Sequence, residues 1–353
     1  MSQSFPARAL ARGDLCLSEI GFGAAPLGNL YRAVDDTEAL ATCRAALDAG
    51  ISYFDTAPYY GFGLSERRLG DALRDSRSVQ ISTKVGRLLE PDAAIEPHVL
   101  RQGFKSSLQF KPVFDYRYDA IFASWQASIQ RLGLPFIDML YVHDIGRRTH
   151  GEAHAHYFVQ LTEGRGFRAL EELRSSGAIR AFGLGVNEID VCLEAIDHTD
   201  LDIILLAGRY TLLEQGALDR LLPACEQRGI SVVIGGPYNS GILVTGTRHG
   251  GPLYYDYAPA SADIVERVRR LESCCERFAV PLAAAALQFP LSHRSVVSVI
   301  PGIGSPQQME NTRALYETVI PAELWSTLRT EGLLRADAPV PAVARGAAAP
   351  ARA

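Results

Sequence analysis

Basic charge is in short supply in this 353-residue chain: 35 Lys and Arg stand against 40 Asp and Glu, giving a formal charge of -5 and a pI near 5.9. Such a surface has no excess of cations to neutralise a phosphate backbone, which argues against a nucleic-acid partner. Long apolar runs are missing too. No stretch reaches the roughly 18 apolar residues that would span a bilayer, and the opening MSQSFPARALARGD holds no apolar segment suited to a secretory leader. The expectation is a cytoplasmic protein away from membranes. CxxC spacing is absent: Cys16, Cys43, Cys192, Cys225, Cys274 and Cys275 are scattered, so neither a zinc knuckle nor a disulfide framework is expected, and the thiols read as reduced and buried. An HxH strand-end pair is lacking as well, which leaves a metal-dependent hydrolase built on Asp55, His143 and Asp144 without enough ligands. No metal is expected.

What the chain does have is 47% hydrophobic content, enough for a sizeable core, and a regular alternation of short β-rich runs with helical patterns. Strand candidates end at EIGFG (19–23), SYFD (52–55), VQIST (79–83), DMLYV (138–142), IRAFGLG (179–185), DIILL (202–206), SVVIGG (231–236) and SVVSVIPG (295–302). Between them, DDTEALATCRAALDAG, FRALEELRSSG, EQGALDRLLPACEQRG and SADIVERVRRLESCCERF carry helical periodicity, and Gly50, Gly177 and Gly229 stand where helices stop. Eight strand and helix units predict an α/β fold, a (β/α)8 TIM barrel, in a single domain over 15–333. A doubly wound sheet shares the local pattern but not the count. Residues 334–353, rich in Ala and Pro, read as an unstructured tail. Long connections follow strands three (86–118) and seven (236–260). Both are aromatic, and both belong to the C-terminal face of the barrel, where sites form.

On this lattice Asp55 closes strand two, Lys84 follows strand three and His143 follows strand four, all at the same end. Tyr60 stands five residues into the loop after Asp55. Adjacent strands lie about 4.8 Å apart, so the four can share one space. An ammonium beside a phenol stabilises phenolate, a carboxylate holds the ammonium charged, and an imidazole orients an alcohol or carbonyl oxygen. That set suits proton transfer coupled to hydride transfer. Taken singly, each residue could equally be structural: an Asx turn, a surface ring, a rim charge, a loop histidine.

FDTAPYYGFGLSE, STKVG, LYVHD, GLGVNE and SVIPG, in that order and spacing from about residue 15 to 333, resemble the aldo-keto reductase superfamily. The resemblance implies a β/α barrel, a nicotinamide dinucleotide and a tetrad that carries over as Asp55, Tyr60, Lys84 and His143. Tyr60 is preferred over Tyr59 as the acid-base because Gly61 follows it. GFGAAPLG (21–28) has the wrong spacing for a Rossmann fingerprint. The resemblance instead assigns the cofactor to Gly23, Ala24 and Asp55, to Asn187 for the carboxamide, to Tyr210 for ring stacking, to Gly236, Pro237, Tyr238 and Gly241 in GGPYNSGIL, and to Gly302, Gly304 and Gln308 after the last strand. Gly302 and Gln308 stand where NADP-specific members carry cations, so NAD is expected over NADP, with Arg313 the nearby cation that could rescue NADP binding. Ala207, where the family often has glutamine, leaves less to fix the nicotinamide ring.

RYTLLEQ, GVNE and GGPYNSGIL look most like bacterial aldose 1-dehydrogenases acting on L-fucose, D-arabinose and L-galactose, whose relatives include pyridoxal 4-dehydrogenase. The expected reaction is oxidation of a sugar at C1 to the lactone, with a carbonyl reductase of the same superfamily and a cofactor-sensing regulatory subunit as alternatives. The partner would be a small molecule, met by Tyr31, Tyr60, Phe62, Tyr116 and His143. Oligomeric state is not legible.

Overall fold

Strands form where the apolar runs lie. In the computed structural model, which describes residues 4–341 other than 77 and 249, eight strands make one parallel sheet: β1 (Phe22–Gly23), β2 (Tyr53–Asp55), β3 (Gln80–Val85), β4 (Met139–His143), β5 (Ala181–Val186), β6 (Ile203–Ala207), β7 (Ser231–Gly235) and β8 (Val296–Ile300). They stand side by side in chain order. Bridges from Ile20 to Val299 and from Gly23 to Gly302 join the two edges, and the sheet closes as a (β/α)8 barrel.

The covering helices are α1 (Asp36–Asp48), α2 (Leu64–Leu73), α3 (Tyr118–Leu132), α4 (Gly166–Ser175), α5 (Asp190–Ile196), α6 (Leu221–Arg228), α7 (Leu282–Gln288) and α8 (Pro306–Glu317). Their ends follow local chemistry. Asp35 caps α1 by accepting the Glu38 amide at 2.7 Å, and Gly50, Gly177 and Gly229 adopt left-handed φ of +79°, +77° and +64° where α1, α4 and α6 stop. SADIVERVRRLESCCERF departs from expectation: it forms an additional helix, Ala262–Arg277, that buries one narrow stripe, Val268, Leu271, Cys274 and Cys275. The barrel position belongs to α7, buried at every residue from Ala283 to Gln288.

Side chains alternate across each strand, so one set packs against the helices and the other fills the barrel. The inner set, with Tyr53, Met139, Tyr141, Ile203, Leu205 and Val233, is closed off by Leu10, Leu15 and Leu17 from an N-terminal hairpin, Ala7–Ala9 with Cys16–Ser18. The sequence reading did not anticipate this plug. Packing also runs past 333, since Leu334 and Ala338 are buried; the rest of the expected tail, residues 342–353, lies outside the described residues.

The two long connections are ordered. The first pairs Arg87–Pro91 with Phe110–Phe114 and Leu100–Arg101 with Phe104–Lys105; the second holds one helical turn, Ile242–Thr245, and a hairpin, Tyr254–Tyr255 with Ala258–Pro259. A third, unexpected insertion between β4 and α4 contains helices Arg147–His150 and His154–Thr162. Five cysteines are buried as expected, but Cys16 is exposed. Among the described residues no helix is long and apolar enough to cross a membrane.

Candidate active site

Alternation places the chemistry. Inward positions on β2, β3 and β4 read Tyr53 then Asp55, Ser82 then Lys84, and Tyr141 then His143, and the parallel register sets Asp55 beside Ser82 and Lys84 beside Tyr141. The lower layer is a hydroxyl cluster in which Tyr53 Oη lies 3.0 Å from Ser82 Oγ and 3.1 Å from Tyr141 Oη. Above it, Lys84 Nζ donates to Asp55 Oδ2 at 2.7 Å and to the Thr56 carbonyl at 2.9 Å, while Ser82 Oγ donates to Asp55 Oδ1 at 2.7 Å. The two charges are buried together. Tyr60 enters from the turn Tyr60–Gly63, with Lys84 Nζ 4.7 Å from its ring centroid and the His143 ring perpendicular to it at 6.0 Å. This turn needs Gly61, whose φ is +63° and whose missing Cβ would lie 2.5 Å from the Gly28 carbonyl oxygen.

Electrostatics correct one expectation. Burial, together with the carboxylates of Asp55 and Asp144, outweighs the ammonium of Lys84, so the Tyr60 phenol ends above its ordinary value rather than below it. Burial opposes the charge on Lys84, but Asp55 and Tyr60 more than compensate and raise its pKa. Burial also pushes Asp55 up, against Lys84 and Ser82. For His143, burial and then the nearby Arg87 and Lys84 cations drop the imidazole well below its usual value. The ring is neutral, and its buried Nδ1 has no partner among the described residues.

Tyr60, Lys84 and His143 open onto a cavity of about 620 Å³, with Tyr31 and Asn187 also on its wall; Asp55 sits behind Lys84. Five expected contacts lie off this wall. Phe62 is buried beneath the Arg101 guanidinium, 3.9 Å from its ring centroid. Tyr116 is buried behind His143, donating from Oη to the His143 carbonyl at 3.0 Å. Tyr210 packs in the core on Phe289 and His293, at 5.2 and 5.8 Å between centroids, so it offers no face to the cavity. Gly23 and Ala24 are also buried off the wall; the Ala24 amide donates to the Asp55 carbonyl at 2.9 Å and so braces the strand end. The wall is instead completed by Tyr59, Arg87, Phe104, Phe114, Asp144 and Tyr257. The aromatic content of the two long connections was the signal for three of these; nothing in the sequence singled out Arg87.

Residues 19–330 match the Aldo/keto reductase family. The chain belongs to that family. Pyridoxal 4-dehydrogenase of Microbacterium luteolum is 48% identical over 336 residues, covering 93% of this chain and 97% of the relative. D-threo-aldose 1-dehydrogenase of a Pseudomonas species is 39% identical, with 95% and 99% covered. Among solved structures, an aldo-keto reductase of Bacillus halodurans in its holo form superposes with a TM-score of 0.70 at 27% identity, covering 94% and 97%. This chain is therefore an aldo-keto reductase, an oxidoreductase of the kind that uses NAD(P)H on small molecules.

The rim fits a nicotinamide dinucleotide. Asn187 Oδ1, just past β5, is buried on the cavity wall without a partner among the described residues, an acceptor of the kind that fits the amide donor of a nicotinamide carboxamide. Gly236, itself exposed, and Gly241 take φ of +54° and +95° beside the buried Pro237 and half-buried Tyr238, a backbone that lets amides approach an anion. After β8, the exposed Gln308 bonds its own loop: its Oε1 accepts the Gly304 amide at 2.7 Å, and Gly302 offers no side chain. Arg313 is committed elsewhere, with its guanidinium over Phe5 and a 3.0 Å contact to Glu317. A cation the sequence reading overlooked, Arg32, does reach this loop, donating to the Gly304 carbonyl at 2.9 Å, but Glu38 pairs with it at 2.7 Å.

Proposed function

We propose that this aldo-keto reductase oxidises a cyclic hemiacetal to its lactone, with hydride passing to NAD. When bound, the nicotinamide supplies the hydride acceptor. Tyr60 in its phenolate form would take the carbinol hydroxyl proton as the C–H electron pair leaves and the C=O forms, and the neutral His143 ring would orient that oxygen. Lys84, fixed by Asp55 and the Thr56 carbonyl, would stabilise the phenolate against the burial that disfavours it. The observation that carries this reading is the convergence of Tyr60, Lys84 and His143 on one cavity whose wall also holds the unpartnered Asn187 amide oxygen.

Two substrate classes share the chemistry. An aldose such as L-fucose, D-arabinose or L-galactose presents the hemiacetal at C1, and pyridoxal forms one when its aldehyde closes onto the neighbouring hydroxymethyl group. The 39% identical relative supports the aldose. The 48% identical relative and the flat rings of Tyr31, Tyr59, Phe104, Phe114 and Tyr257 on the wall support pyridoxal. NAD is favoured because Gly302 and Gln308 bring no cation to the β8 rim and Arg32 is already paired. The test is NAD reduction followed with pyridoxal and L-fucose side by side. Turnover of one or both supports the assignment; turnover of neither removes it and leaves the family intact.

A further inference from the structure

The cavity lining includes a second charged pair beyond Lys84 and its neighbours: Arg87, three residues past Lys84, and Asp144, directly after His143. Arg87 donates to Asp144 Oδ2 at 2.5 Å, and its guanidinium lies over the Tyr59 ring, 4.4 Å from the centroid, and 5.2 Å from that of Phe114. Rings on its face hold a guanidinium flat and fixed. Arg87 is only 6% exposed, and its Nε is buried with no partner among the described residues. Leaving such a donor unmet costs stability, so a site that keeps it unmet is prepared for a ligand that meets it. Asp144 holds a left-handed φ of +43°, a strained conformation for a residue other than glycine, with its amide donating to the Gly185 carbonyl at 2.9 Å. That conformation sets its Oδ2 3.5 Å from His143 Nε2.

We propose that Arg87 and Asp144 form a donor and acceptor edge that binds the substrate hydroxyl flanking the reacting carbon. The proposal rests on the hemiacetal reading above and names what that site selects. With the reacting oxygen at His143, the next substituent along the substrate reaches the pair that begins beside that imidazole. Arg87 Nε donates to the flanking hydroxyl oxygen, and that hydroxyl, keeping its proton, donates a hydrogen bond to the Asp144 carboxylate. In an aldose this hydroxyl is the one on C2; in pyridoxal it is the ring 3-hydroxyl. A plain aldehyde has neither and gains nothing from the pair.

The experiment compares kcat/KM with NAD inside two substrate pairs, L-fucose against 2-deoxy-L-fucose and pyridoxal against 3-deoxypyridoxal. Wild-type enzyme is expected to prefer the hydroxylated member of the pair it turns over by at least about tenfold, since a site built to hydrogen-bond a hydroxyl discriminates strongly against its loss. Arg87→Met and Asp144→Asn should each shrink that preference to within about threefold, with Arg87→Lys keeping part of it. A purely structural role would lower both members equally and leave the ratio where it was, which overturns the proposal. A wild-type ratio near one also overturns it while the oxidation stands, and this arm needs no variant to fold. Turnover of none of the four compounds sinks the hemiacetal reading and this proposal together.

Discussion

Lys84 and Asp55 form an ion pair at 2.7 Å with neither side chain more than 3% exposed. Removing one member of a buried pair strands the other, at a cost of about 3–5 kcal/mol. Lys84→Met is therefore expected to lower the denaturation midpoint substantially and to cut kcat by roughly 10²- to 10⁴-fold, the range for loss of acid-base assistance. A variant as stable as wild type would show that the ion pair is not what holds this layer.

Tyr60 is pushed up by burial, with Lys84 opposing. Oxidation requires the phenolate, so kcat/KM in that direction should climb with pH toward the alkaline range, while reduction, which uses the phenol, should fall. Tyr60→Phe should lose about 10²- to 10⁴-fold in kcat and abolish that pH dependence. Tyr59→Phe should keep the same profile. Identical profiles for wild type and the Tyr60 variant would remove Tyr60 from the proton path.

His143 gives the fold an acid-sensitive element. The unfolded imidazole titrates near its ordinary value of about 6.5, whereas burial, Arg87 and Lys84 hold the folded ring well below it. Between the two values the unfolded chain binds more protons, so stability is fully present above the unfolded pKa and declines as pH falls toward the folded one. His150, pushed down to about 4 by burial and by Arg87 and His154, and His293, lowered by burial, act in the same direction. Denaturant midpoints measured from about pH 7.5 to 5 should fall, and His143→Gln should flatten the fall. An equal fall in the variant would assign the sensitivity to other groups.

Cofactor choice turns on the β8 rim, where Gln308 is bound to the Gly304 amide and Glu38 neutralises Arg32. Wild type should prefer NAD in kcat/KM. Gln308→Arg should raise NADP efficiency by about tenfold or more, the worth of one charge-assisted contact to a phosphate. A native NADP preference of tenfold or greater would contradict the reading.

The barrel and three of the residues on its rim, Asp55, Lys84 and His143, follow from local rules in the sequence, while Tyr60, in the turn Tyr60–Gly63, is singled out by the family resemblance. Apolar runs of strand length fix where β1 to β8 lie, glycines after α1, α4 and α6 fix where helices stop, and two-residue alternation fixes that Asp55, Lys84 and His143 face inward beside one another. Loop side chains obey no such period. Tyr116 and Phe62 look like substrate-facing rings in the sequence, yet they are buried because backbone turns such as φ +58° at Phe62 carry them off the wall, and the buried Arg87 and exposed Tyr257 line the cavity in their stead. The direction of the Tyr60 shift was equally out of reach. It is set by competition between desolvation and the Lys84 charge, and desolvation is a property of how tightly the whole rim closes around the phenol.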